Sequence, residues 1–192
     1  MHISITGKLG SGKSTVCKMI SERYGYEIYS TGAIQREVAR EKGVTTLELN
    51  QMMEIDHTLD DVIDATTTRI SKERKGDKLI FDSRMAWHFA EETFKIFVTI
   101  DPMVAATRVF ANPRAEEPYA TVEEARDKLV ERSLVEQDRF VRIYGVDYYD
   151  FNNYNLVVDS SNHTPDEIVD IIWEAYQNYC KDPVKYAHVE VK

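Results

Sequence analysis

Gly7-Lys8-Leu9-Gly10-Ser11-Gly12-Lys13-Ser14 satisfies the spacing G-x-x-x-x-G-K-[ST] at every fixed position. The apolar run Ile3-Ser4-Ile5 ahead of it reads as a buried strand, and Ser14-Thr15-Val16-Cys17-Lys18-Met19-Ile20 opens a helix. Strand, glycine-rich loop and helix, in that order, are the context in which this spacing cradles phosphate. Glycines let backbone N–H groups turn inward around the anion, and the helix N-terminus adds its dipole. In such a loop the lysine, here Lys13, reaches the outer phosphates, and the hydroxyl of Ser14 sits on Mg²⁺. The alternative is a glycine-rich turn with no ligand; the flanking strand and helix argue against it.

Working outward, Glu27-Ile28-Tyr29-Ser30 reads as a second strand, and Thr31 as the cap of a helix through Ile34, Val38 and Ala39 that Gly43 closes. A short helix over 45–54 and a longer one over 56–75 follow, the second with Leu59, Val62, Ile63 and Ile70 as its apolar face. Residues 78–82, 94–100 and 155–159 are continuous apolar runs, as expected of strands covered on both faces. A helix from Asp101-Pro102, a proline-containing lid over 112–121 and a long helix over 122–144 lie between the last two runs. Thr164-Pro165-Asp166-Glu167 is a capping box that opens a closing helix. Strands alternating with helices predict an α/β fold of three layers, with a parallel sheet of about five strands. The domain spans 1–180, and in the tail, 181–192, Val189-Glu190-Val191 hints at an extra strand or at nothing ordered.

Ligands of such sheets bind at the carboxyl ends of the strands, where the loop, Thr31-Gly32 and Asp82 all lie. The 192 residues are 43% hydrophobic and 30% charged, the composition of one ordinary globular domain. No run approaches a membrane span, and no signal peptide precedes the first strand, so a cytoplasmic location is expected. Two cysteines, Cys17 and Cys180, give neither a disulfide framework nor a metal spacing, and the five histidines are scattered. A net charge of −9 argues against binding a nucleic-acid polymer. An acidic chain that binds polyphosphate must gather its few cations locally.

Asp82 ends an apolar strand, where a phosphate-loop protein keeps the acid that orients Mg²⁺ or the acceptor; the bland reading is a turn cap. Arg84 lies two residues on. Arg132, Glu136 and Arg139 stand at i, i+4 and i+7, on one helix face. Either they form a solvated ion-pair ladder, or the guanidiniums face transferring phosphates with Glu136 orienting one or holding a sugar hydroxyl. The adjacent lid favours the second reading. No Asn-Lys-x-Asp guanine-reading motif is present.

Taken in order, the phosphate loop, Ser30-Thr31-Gly32-Ala33-Ile34-Gln35-Arg36, Phe81-Asp82-Ser83-Arg84 and Arg132 through Tyr144-Gly145-Val146-Asp147 resemble the cytidylate kinase-like family, over roughly residues 1–180. Ser83 stands where that family has glycine, and Glu136 where it has aspartate. The resemblance implies an ATP-dependent kinase of nucleoside monophosphates, CMP or dCMP first, with Mg²⁺. It implies ATP on Gly7, Lys8, Leu9, Gly10, Ser11, Gly12, Lys13, Ser14 and Thr15, and the acceptor against Thr31, Gly32, Arg36, Arg84 and Glu136. Lys13, Asp82, Arg132 and Arg139 form the catalytic set, Ser14 and Asp82 the metal ligands, and Arg108 and Arg114 the lid's phosphate contacts. A kinase of another small molecule, with Asp82 as general base, and a non-catalytic nucleotide-binding regulator remain as alternatives. The partners expected are small nucleotides, with no membrane; the sequence names no protein partner.

Overall fold

Along β1 (His2–Gly7) every side chain is buried, because both faces of the strand are covered. Ile3 and Ile5 point to one face and pack, with Ile80, Phe94, Ile96, Val98, Leu156 and Val158, against α1 (Lys13–Tyr24) and α8 (Pro165–Lys181). The opposite face carries Phe97 and Val157 against Met85, Trp87, Phe140, Tyr148 and Tyr154. The computed structural model describes every residue except 114–117.

The remaining strands are β2 (Glu27–Ser30), β3 (Leu79–Asp82), β4 (Thr93–Thr99), β5 (Leu156–Asp159) and β6 (Val189–Val191). They form one six-stranded sheet in the order β2-β3-β1-β4-β5-β6, parallel throughout. The sheet is one strand wider than the sequence suggested, because Val189–Val191 pairs beside β5. Asn155 ties this edge down by donating its side-chain amide to the Ala187 carbonyl.

Between β2 and β3 lie α2 (Thr31–Lys42), α3 (Thr46–Met53) and α4 (Thr58–Glu73). The cap of α2 is Ser30, whose hydroxyl accepts from the Ala33 N–H; Thr31, expected in that role, is already helical. A four-residue helix, α5 (Ala86–Phe89), follows β3 and has no counterpart in the sequence reading. α6 (Pro102–Ala111) is capped by Asp101, and α7 (Val122–Tyr144) runs from its Thr121 cap to Gly145. Of the apolar face expected on α4, Ile63 is buried and Leu59 and Ile70 pack against core clusters, but Val62 is 57% exposed, and the buried stripe also carries Asp60, Asp64, Thr67 and Ser71. Among the described residues no helix is long and apolar enough to cross a membrane.

Candidate active site

The loop after β1 needs its glycines. Gly10 has φ +76°, and a Cβ there would lie 2.9 Å from the Cβ of Ala105 on α6. Gly12, at φ +84°, is the N-cap of α1, so no side chain caps that helix and no acid lies in its first turn. Thr45, Thr121 and Thr164, by contrast, cap α3, α7 and α8. The first N–H groups of α1 therefore meet no capping side chain, an arrangement that could accept an anion. Lys13 is held down to about pKa 7, first by burial and then by the Arg84 guanidinium, against the pull of Asp82. A phosphate beside it would restore the charge.

Ser14 donates its hydroxyl to Asp82 Oδ2 at 3.0 Å, and Ser30 donates to the same oxygen at 3.2 Å. Thr31 Oγ1 reaches the Asp82 carbonyl at 3.5 Å. β1, β2 and β3 are adjacent or one strand apart, so their carboxyl ends bring these groups together. The Ser14 hydroxyl and the Asp82 carboxylate are hard oxygens of the kind that hold Mg²⁺, which would take its other ligands from phosphate and water.

Glu136 lies between two arginines. Its Oε2 accepts from Arg84 Nε and its Oε1 from Arg132 Nε, each at 2.9 Å. Arg132 also donates to Thr46 Oγ1 at 2.9 Å. Burial alone would raise the Glu136 carboxyl, but Arg84, Arg132 and Arg139 outweigh it and hold it at about 2. Of the two roles open to Glu136, the geometry displays the orienting one, and it orients both arginines. Arg36 Nη1 passes over Gly32, where an added Cβ would stand 3.3 Å away. Lys13, Arg36, Arg84 and Arg132 thus border one cleft with Ser14, Thr31 and Asp82.

Three expectations change. Arg139 does not face the cleft: its side chain is 0% exposed, and it donates to the carbonyl and side-chain oxygens of Asn50 at 3.1 and 2.9 Å. Its Nε lies 3.1 Å from Asp60 Oδ2, which makes it a tether between α7, α3 and α4. The solvated-ladder alternative fails as well, since Arg132, Glu136 and Arg139 are all buried. Lys8 turns its ammonium to the Ile100 carbonyl at 3.5 Å, away from the cleft that Leu9 through Thr15 line. Arg108 donates to Ser160 and, with Tyr119, His163 and the outer side of the loop, borders a second cavity of about 450 Å³. Arg114 lies outside the described residues.

The sequence reading missed Gln35, Asp60, Ile63, Asp64, Met85 and Phe140, which line the same cleft as Lys13 and Arg84. Burial raises Asp60 to about 6 against the pull of Arg139, and raises Asp64 to about 7 against the hydrogen bond from Tyr144. Two acids at i and i+4 around Ile63 were the available signal.

A model of the cytidylate kinase-like family matches residues 2–162. The chain belongs to this family. It is 31% identical to a cytidylate kinase of Pyrococcus furiosus over 95% of its own length and 90% of the relative's. With a cytidylate kinase of Haloarcula marismortui the identity is 33%, over 95% and 92%. An S-adenosylmethionine-dependent nucleotide dehydratase of Lacinutrix mariniflava is 33% identical over 91% of this chain, which spans 36% of that protein. A solved shikimate kinase of Bacteroides thetaiotaomicron shares the fold, with a TM-score of 0.59 at 12% identity over 92% of this chain and 98% of that one. Membership of this family makes the chain a phosphotransferase, and its fold is that of the P-loop kinases.

Proposed function

We propose that this chain transfers the γ-phosphoryl group of ATP to a pyrimidine nucleoside monophosphate, CMP or dCMP, giving the diphosphate and ADP. The observation that carries this reading is the gathering of Lys13, Arg36, Arg84 and Arg132 around one cleft in a chain of net charge −9. Two polyanions meeting head-on need that many cations. ATP lies with its phosphates on the loop and its base in the cavity beside Arg108, whose guanidinium is held by Ser160 and offers a flat face for stacking. The acceptor phosphate lies against Arg36 and Arg84.

A bond forms between an acceptor phosphate oxygen and Pγ while the bond from Pγ to the β–γ bridging oxygen breaks, and ADP carries that electron pair away. The acceptor oxygen is already anionic at neutral pH, so no side chain need remove a proton. Lys13 and Arg132 offset charge on the equatorial oxygens, with Arg132 pre-aligned by Glu136. Bound through Ser14 and Asp82, Mg²⁺ would neutralise phosphate charge. The lid expected over 112–121 includes residues 114–117, which lie outside the described residues. A phosphate-free acceptor would leave Arg36 and Arg84 without a ligand, and the Asp82 carboxylate already accepts from Ser14 and Ser30. A cytoplasmic setting, with small nucleotides as the partners, belongs to the same reading. Coupled ADP release with Mg²⁺·ATP across CMP, dCMP, UMP, AMP and GMP tests it: turnover with CMP or dCMP supports it, and no turnover with any monophosphate overturns it.

A further inference from the structure

The cleft has a second character that phosphate does not explain. Besides its cations it is bordered by the carboxyl groups of Asp60 and Asp64 and by the apolar side chains of Ile63, Met85 and Phe140. All five are buried, at 9% exposure or less. Carboxylates repel phosphate, so the part of the ligand they face must be uncharged and must present N–H donors. Apolar walls around them favour a flat ring over a sugar. An aromatic base with an exocyclic amine meets both demands.

The two acids are fixed from behind. Asp64 Oδ2 accepts the hydroxyl of Tyr144, the last residue of α7. Asp60 is 4% exposed, and its Oδ2 lies 3.1 Å from Arg139 Nε without a hydrogen-bonding alignment. A carboxylate has about four lone-pair sites, so each retains accepting capacity. Asp64, Asp60 and Ile63 form one stripe of α4, so the acids stand on either side of a single apolar contact.

We infer that Asp64, held by Tyr144, reads the exocyclic amine of the acceptor base, and that Asp60 closes the same edge of the slot. This rests on the acceptor being a nucleoside monophosphate, as proposed above. Cytosine presents N4–H₂ to such a carboxylate, whereas uracil presents a carbonyl oxygen at that position. The site therefore rejects uracil by leaving an acceptor against an acceptor. Asp64 is the specificity-determining residue, and Tyr144 acts through it as a positioning residue.

The test is kcat/KM for CMP and for UMP at pH 8, where both carboxyls are ionised. Asp64→Asn keeps the shape and should lower the CMP-to-UMP ratio about ten- to a hundredfold, mainly through KM for CMP, with KM for ATP unchanged. Tyr144→Phe keeps the ring and should lower the ratio severalfold in the same direction. Glu131→Gln, on the exposed side of α7, should leave it alone. If Asp64→Asn does not fold, Tyr144→Phe decides. A ratio within twofold of wild type in the folded variants overturns this inference while leaving the kinase reading intact. A wild-type protein that phosphorylates no monophosphate overturns both.

Discussion

Replacing Arg139 with methionine removes a buried guanidinium while keeping an unbranched side chain of similar reach. The losses are an ion pair with Asp60 at 3.1 Å, two hydrogen bonds to Asn50, and a cation seated 4.9 Å from the centroid of the Phe140 ring. Removing one partner of a buried pair costs about 3–5 kcal/mol, because the other charge is left uncompensated. At about 2–4 °C per kcal/mol for a domain of this size, the melting temperature should fall by roughly 6–20 °C. The cost should depend on pH. Burial already raises Asp60 in the folded state to about 6, above the usual carboxylate range, with Arg139 opposing the rise. Without Arg139 it climbs further. A raised carboxyl contributes stability that is complete below its unfolded pKa and lost as pH rises through the folded one. The gap between variant and wild type should therefore be widest above pH 7 and narrow toward pH 4. Thermal unfolding followed by circular dichroism at both ends of that range measures it. Asp60→Asn added to Arg139→Met should recover much of the loss. A variant that melts within about 2 °C of wild type yet loses kcat a hundredfold or more would return Arg139 to the transferring phosphoryl group and refute the argument.

Lys13→Ala should lower kcat about 10³-fold or more with no loss of melting temperature, since the side chain it removes is a poorly solvated cation; wild-type-like turnover sinks the phosphate-loop assignment. Because Lys13 is held near 7 in the free protein, ATP binding at pH 8 should take up protons, seen as calorimetric enthalpies that differ between Tris and phosphate buffers. Equal enthalpies in the two buffers contradict this, and Lys13→Ala should abolish any difference. Arg36→Ala should raise KM for the monophosphate about 10- to 150-fold, the worth of a charge-assisted hydrogen bond, and leave KM for ATP unchanged; a rise confined to ATP would place Arg36 in the other subsite.

Local chemistry was legible in the sequence because its partners are neighbours in the chain. The loop, the Thr164 capping box and Asp82 at a strand end each declare themselves within a few residues. Spacing also put Arg132, Glu136 and Arg139 on one face of α7 correctly, yet it left undecided what that face meets. The deciding partners are Thr46, Asn50, Asp60 and Arg84, all distant in sequence and brought in by α3, α4 and the turn after β3. On α4 the rule that apolar residues point inward failed at Val62 and for the polar half of the inward stripe, because that helix borders the cleft with Asp60 and Asp64 as well as Ile63.

The same long-range contacts give α7 a double role. Arg132 and Arg139 lie seven residues apart, about 10 Å along the helix axis, and point to different partners. Arg132 borders the cleft with Arg84, both fixed through the shared Glu136 carboxylate. Arg139 and Tyr144 instead hold the two acids of α4. Two polar contacts, Arg139 with Asp60 and Tyr144 with Asp64, thus join α7 to the helix that borders the cleft. Because breaking either contact would strand a buried carboxyl group, the linkage is held by electrostatics that the apolar core could not supply.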